Sequence, residues 1–265
     1  MSRLEEAFRA AKRDKRAAFV PYVTAGDPNL ERTVEIVRAL VRGGADVLEL
    51  GVPFSDPIAD GPTNQRAAER ALAAGTTLSG VLAAVKVLRQ DLEIPIVLFS
   101  YANPVARYGV ERFADDAAEA GVDGILFTDV PAEEMSLFEE ALANGGLDPI
   151  MLVTPTSDKQ RMKATARFGS GFLYLVSRTG VTGVQQNLDT ELEGNIRMAR
   201  RASRLPVAVG FGISTPEQVA QVAALADGVV VGSAIVSRIG ALGDCDELTD
   251  QVESFAKTLA EACKR

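Results

Sequence analysis

The chain has 265 residues, of which 47% are hydrophobic and 24% charged, enough to bury a large core. Its formal charge of -8 argues against nucleic acid and anionic membranes as partners, although backbone amides still bind phosphate locally whatever the net charge. It contains no histidine, so Ser-His-Asp triads, imidazole acid–base catalysis and His-based metal sites are excluded, and proton transfer falls to Asp, Glu, Tyr or Lys.

The first segment, SRLEEAFRAAKRDKR, is too charged for a secretory signal and reads as an amphipathic helix with Leu4, Phe8 and Ala11 on one face. Short apolar runs then recur at Phe19–Thr24, Asp46–Leu50, Pro95–Ser100, Gly124–Thr128, Ile150–Thr154, Phe172–Ser177, Val207–Phe211 and Gly228–Val231. They are continuous rather than alternating, as expected of parallel strands covered on both faces. Helical patterns separate them, among them Leu30–Arg42, Val110–Ala120, Ala132–Ala143 and Pro216–Ala224. The stretch from Arg66 to Asp91 is long for one helix, and Gly75-Thr76-Thr77 splits it in two. A closing helix is expected over Asp246–Cys263, with Leu248, Val252, Phe255 and Leu259 on one face.

Eight β/α alternations predict a single-domain (β/α)8 TIM barrel over residues 1–265, with an additional N-terminal helix. An open doubly wound sheet is the alternative, but no G-x-G-x-x-G follows the first strand. No apolar run approaches the ~20 residues of a membrane span. Cys245 and Cys263 lack metal-ligand spacing and read as reduced thiols of a cytoplasmic protein.

Barrel chemistry sits where strands end. There the second strand offers Glu49, an acid inside an apolar run, followed by a loop carrying Asp56 and Asp60. A buried acid is costly unless paired or used, and the strands hold almost no Lys or Arg to pair with it. A structural ion pair and a catalytic acid therefore both remain open for Glu49, with the catalytic one favoured. Asp60 taken alone is also compatible with an ordinary solvated turn, and Asp56 and Asp129, each before a proline, read as loop-shaping or partner-facing. Small-residue turns at Ser177–Gly183, Gly210–Ile213 and Gly232-Ser233 suit a phosphate, or simply make tight βα turns. Tyr22, Phe99, Tyr174 and Phe211 occupy strand positions, as core or as the wall of a flat apolar ligand. No lysine falls in a predicted strand, which disfavours a Schiff-base aldolase; carboxylate proton transfer on a phosphorylated substrate remains.

At these residues the sequence resembles the tryptophan synthase alpha subunit family. AFVPYVTAGDP, ELGVPFSDPIADGPTNQ, YANP, DVP, LVSRTGVTG, GFGIS and VVVGSAIV occur in that family's order and spacing, from the first helix to the last. The resemblance implies retro-aldol cleavage of indole-3-glycerol phosphate to indole and glyceraldehyde 3-phosphate, with no cofactor and no metal in this chain. It implies Glu49 as the acid–base residue, Asp60 as the acceptor for the indole N–H, and Tyr174 beside Glu49. It places phosphate at Gly183, Gly212, Gly232 and Ser233, and the indole pocket at Tyr22, Phe99, Leu126 and Phe211. It also implies a mobile loop with Arg178 and Thr182, and a pyridoxal-phosphate β subunit that receives indole within an αββα heterotetramer and touches Pro53, Asp56, Asn103, Asp129 and Pro131. Tyr22 departs from the family's frequent phenylalanine, and the segment before the last strand is slightly short. Two other readings stay open: a stand-alone indole-3-glycerol phosphate lyase, and a barrel that serves mainly to activate a β subunit.

Overall fold

The computed structural model of the chain describes residues 2–177 and 188–265, with side chains in the second segment from Glu191 onward. Eight parallel strands close into a barrel in sequence order: β1 (Ala18–Thr24), β2 (Leu48–Gly51), β3 (Ile96–Ser100), β4 (Gly124–Phe127), β5 (Asp148–Val153), β6 (Leu173–Val176), β7 (Val207–Gly210) and β8 (Gly228–Val231). Closure is made by β1 on β8, with Ala18 opposite Gly228. All eight expected runs hold strands, with ends moved by at most two residues: β5 starts earlier, at Asp148, and β7 stops at Gly210, before Phe211. Asp46, for instance, lies before β2 and binds Arg16.

The two-residue period of each strand divides the core. Leu48 and Leu50 of β2 face outward into the layer beneath the helices, as do Ile96 and Leu98 of β3. Val20, Tyr22, Val47, Val97, Phe99 and Leu126 face the barrel axis. Glu49 lies between Leu48 and Leu50 and therefore belongs to the inward set, fully buried.

Helix α1 (Arg3–Arg13) closes the N-terminal end of the barrel. Its Leu4, Phe8 and Ala11 are buried, and the Phe8 ring lies 5.2 Å from that of Phe172. Around the barrel run α2 (Leu30–Arg42), α3 (Pro62–Ala73), α4 (Leu78–Leu88), α5 (Ala102–Tyr108), α6 (Val110–Ala120), α7 (Ser136–Gly145), α8 (Lys159–Phe168), α9 (Leu188–Ala202), α10 (Pro216–Ala223), α11 (Ser233–Leu242) and α12 (Leu248–Ala262). The expected break falls between α3 and α4, where Gly75 takes φ +83° and Thr77 caps the second helix, its hydroxyl accepting from Gly80 N at 3.2 Å.

Two local expectations need correction. Ala132–Ala143 is not one helix: a 3-10 turn at Ala132–Glu134 precedes α7. Ala132, Met135 and Phe138 are all buried, and their spacing of three suits the tighter turn. The short α5 escaped the periodicity because it contains Asn103-Pro104; Asp129 supports its first turn by accepting from Ala102 N at 2.8 Å. In α12 the buried face is Leu248, Val252, Ala256 and Leu259, while Phe255 lies partly covered under the Arg238 guanidinium, 4.4 Å away. Among the described residues no single helix is long and apolar enough to cross a membrane.

Candidate active site

A cavity of about 290 Å³ opens at the C-terminal ends of the strands. Its floor is Glu49, and Asp60 stands on its wall at the end of the β2–α3 loop. Tyr22, opposite Glu49 in the β1–β2 register, and Tyr174 of β6 also line it.

Glu49 is the anomaly of the barrel. Among the described residues neither carboxylate oxygen has a hydrogen-bond partner and no cation pairs with it. The structural ion pair left open by the sequence is thus absent among the described residues. Burial alone raises its pKa to about 8, because the charged form has no compensating dipole around it. At neutral pH the group is therefore mostly protonated, a carboxylic acid facing a cavity.

Asp60 is set up differently. Its pKa is also raised by burial, but the hydroxyl of Tyr101 donates to Oδ2 at 2.9 Å and, together with Asn64, opposes that shift. Tyr101 also accepts from Ala59 N at 3.0 Å, and Gln65 Nε2 donates to the Asp60 carbonyl at 2.9 Å. The loop is thus braced on both sides of the acid. Two carboxyls share one cavity, both raised by burial, but only Asp60 has hydrogen bonds that oppose the shift.

The tyrosines sit where glycines let them. A Cβ on Gly51 would come within 2.3 Å of Tyr22 Oη, and one on Gly210 within 2.0 Å of Tyr174 Oη. Both rings are buried and carry phenols raised by burial, that of Tyr174 also by the nearby Glu49 charge. Phe99 packs edge-on against Tyr22 with centroids 5.1 Å apart, and Phe211 against Tyr174 at 6.2 Å. Phe211 reaches its place through a left-handed φ of +79°, followed by Gly212 at the same value. A bulky residue held there costs on the order of 1–3 kcal/mol and marks a constrained site.

On the opposite rim, Gly212, Gly232 and Ser233 all line the cavity. Ser233 begins α11, and among the described residues no side chain caps that helix, which leaves its N-terminus suited to an anion.

Of the residues expected to act, the structure gathers Glu49, Asp60, Tyr174, Tyr22, Phe99, Phe211, Gly212, Gly232 and Ser233 around one cavity. Leu126 is fully buried in the barrel interior and is not part of the lining. Arg178, Thr182 and Gly183 lie outside the described residues. Asp56, Asn103, Asp129 and Pro131 are exposed, whereas Pro53 is buried. Pro53 thus corrects the expectation of a surface contact: packed beneath the loop, it turns the chain out of β2. The sequence places Tyr101 at the strand end where chemistry collects, one residue beyond β3, but gives it no role, and it gives no signal for Asn64 and Gln65.

Comparison with known proteins agrees with this geometry. The family model for the tryptophan synthase alpha chain matches residues 8–264. The alpha chain of Solibacter usitatus is 50% identical over 259 residues, 98% of this chain and 97% of its own length. That of Geobacter sulfurreducens is 50% identical over 262 residues, 99% of both chains. The crystal structure of the alpha subunit from Legionella pneumophila superimposes with a TM-score of 0.90 at 38% identity, covering 99% of this chain and 98% of that one. With its barrel, its paired carboxyls and its sequence all in agreement, the chain belongs to the tryptophan synthase alpha chain family, the carbon–carbon lyases that cleave indole-3-glycerol phosphate in tryptophan biosynthesis.

Proposed function

We propose that Glu49 and Asp60 divide the cleavage between them. The carrying observation is that Glu49 is fully buried, without a partner among the described residues, and faces the same cavity as Asp60. As the protonated acid, Glu49 delivers its proton to the indole ring carbon that bears the glycerol chain. The C–C bond electrons then flow into the ring, and the Glu49 carboxylate takes the proton of the adjacent glycerol hydroxyl as that carbon becomes the aldehyde. The two transfers restore the acid, and indole leaves with glyceraldehyde 3-phosphate. Asp60 accepts from the indole N–H and stabilises the positive charge that grows on the ring when its carbon is protonated. Tyr174 packs beside Glu49 and excludes water, Tyr22, Phe99 and Phe211 flank the indole, and Gly212, Gly232 and Ser233 hold the phosphate. Because protonated indole serves as its own electron sink, these steps use only side chains of this chain.

The exposed loop from Ser55 to Ala59 is the natural docking face for a partner. Ile58 is 87% exposed directly before the Asp60 turn, and Asp56, Asn103, Asp129 and Pro131 flank it. An apolar tip joined to a catalytic acid couples assembly to chemistry. In our reading the partner is a β subunit, in an αββα heterotetramer of the cytoplasm, and it alone carries pyridoxal phosphate and receives the indole.

The test is indole release from indole-3-glycerol phosphate, with and without β subunit, for the wild type and Glu49→Gln. A loss of at least ~10²-fold is expected for the variant, the usual worth of a positioned acid–base group. Near-wild-type turnover by Glu49→Gln would sink the mechanism. High release by the isolated chain that β subunit leaves unchanged would instead identify a stand-alone lyase.

A further inference from the structure

The chain carries a second cavity, of about 510 Å³, at the opposite end of the barrel. It lies between α1, the turn from α9 into β7, and the last residue, Arg265. Six cationic side chains line it: Arg9, Lys12, Arg16, Arg200, Arg204 and Arg265. Only two carboxylates, Glu5 and Asp227, accompany them, so its side chains carry a formal excess of four positive charges in a chain whose net charge is -8.

Three of the six are committed to the fold. Arg16 pairs with Asp46 through both terminal nitrogens, at 2.5 and 2.8 Å. Arg200 reaches Asp227 at 3.0 Å, and Arg265 donates to the carbonyls of Ala223 and Ala226. These bonds fix the positive wall in place. The other three, Arg9, Lys12 and Arg204, are exposed and make no ion pair among the described residues. Uncompensated cations held around one concavity repel each other, and a bound polyanion removes that repulsion. Between them the lining turns apolar at the half-buried Leu205 and Pro206, with the edge of the buried Phe8 beneath them.

We infer that this cavity binds a nucleoside diphosphate, its phosphates among Arg9, Lys12 and Arg204 and its base against Phe8, Leu205 and Pro206. The planar guanidinium forks of Arg9 and Arg204 match phosphate oxygens, and the volume falls within the range of small-molecule sites, about 300–1,000 Å³. Because the cavity spans α1, the β7 entrance and the chain's last residue, the ligand clamps three segments far apart in sequence. Its binding raises thermal stability from the end of the barrel opposite the active site.

The probe is adenosine diphosphate, titrated calorimetrically into the whole chain at fixed ionic strength. Saturating glycerol 3-phosphate keeps the catalytic rim filled, and inorganic tripolyphosphate and adenosine are run in parallel. One binding event per chain is expected, tighter for the nucleotide than for tripolyphosphate and absent for adenosine, with a matching rise in Tm. The R9S/K12S/R204S variant alters exposed side chains only and retains indole-releasing activity. It is expected to bind at least about tenfold more weakly, since a single hydrogen bond to a charged group is worth that order. An R9K/R204K variant, which keeps the charge but loses both guanidinium forks, is expected to bind with intermediate affinity. Absence of binding at millimolar nucleotide, or equal affinity in R9S/K12S/R204S, would overturn the inference. Tripolyphosphate binding as tightly as the nucleotide would overturn the assignment of the base to the apolar wall.

Discussion

Tyr101 Oη donates to Asp60 Oδ2 at 2.9 Å, a bond that joins the loop after β3 to the loop after β2 across 41 residues of sequence. The bond works against burial, which alone drives the Asp60 carboxyl upward. It favours the charged form of Asp60, which the proposed role as acceptor for an indole N–H requires, and the second contact of Tyr101, with Ala59 N, fixes the loop on which Asp60 stands.

Tyr101→Phe removes that opposing effect. Asp60 must then titrate at higher pH, so the acidic limb of the kcat/KM profile moves upward while the alkaline limb stays in place. A loss of about tenfold at neutral pH is expected, the value of one hydrogen bond to a charged group. Indole release measured across pH decides it: an acidic limb in the wild-type position would show that Tyr101 only shapes the loop.

In the proposed mechanism the alkaline limb belongs to Glu49. The first proton transfer requires the acid form, and burial holds its pKa near 8. The wild-type kcat/KM is therefore expected to fall tenfold per pH unit above about pH 8. A profile flat to pH 9.5 would contradict the proton-donor role.

The same burial makes stability depend on pH, in a direction that can be worked out. The folded pKa of Glu49 lies above the ordinary carboxylic value, so between about pH 4.5 and 8 the native state holds a proton that the unfolded chain has lost. Its contribution is fully present below pH 4.5 and is lost as pH rises through 8, at up to about 1.4 kcal/mol per pH unit. Glu49→Gln, which cannot ionise, escapes that loss. Its Tm relative to wild type should climb from about pH 5 to pH 8 and level off above that. A pH-independent Tm difference would mean that Glu49 is ionised in the folded state.

The strands and the principal acid are legible in the amino-acid sequence. Parallel strands buried on both faces become unbroken apolar runs, and Glu49 stands out because nothing basic shares those runs. What escapes the sequence depends on distance along the chain. Tyr101 meets Asp60, and Tyr174 lies over Gly210, only once the barrel closes. The cationic cavity draws Arg9, Lys12 and Arg204 from two ends of the sequence, and α1 alone reads as a plain amphipathic helix. Pro53 misleads for a related reason: its place in a family contact loop says nothing of whether the loop's own residues cover it.

Gly210 tests how tightly the tyrosines are seated. The sequence reads it as part of a glycine turn, yet its φ is not left-handed, so an alanine meets no backbone penalty there. The obstacle is Tyr174, whose Oη lies 2.0 Å and Cζ 2.5 Å from the position of an added Cβ. The ring is buried, with Glu49 on the same cavity and Phe211 stacked edge-on, so it cannot turn away without disturbing the catalytic acid. Gly210→Ala is therefore expected to cost about 1–3 kcal/mol of stability, the range for overpacking, and to lower kcat more than it raises KM. In a Tyr174→Leu background the same substitution should cost markedly less, because the atoms it strikes are gone. A double-mutant cycle on unfolding free energies measures the difference. Equal costs in the two backgrounds would show that Gly210 is required for the backbone turn rather than to make room for the tyrosine beside Glu49.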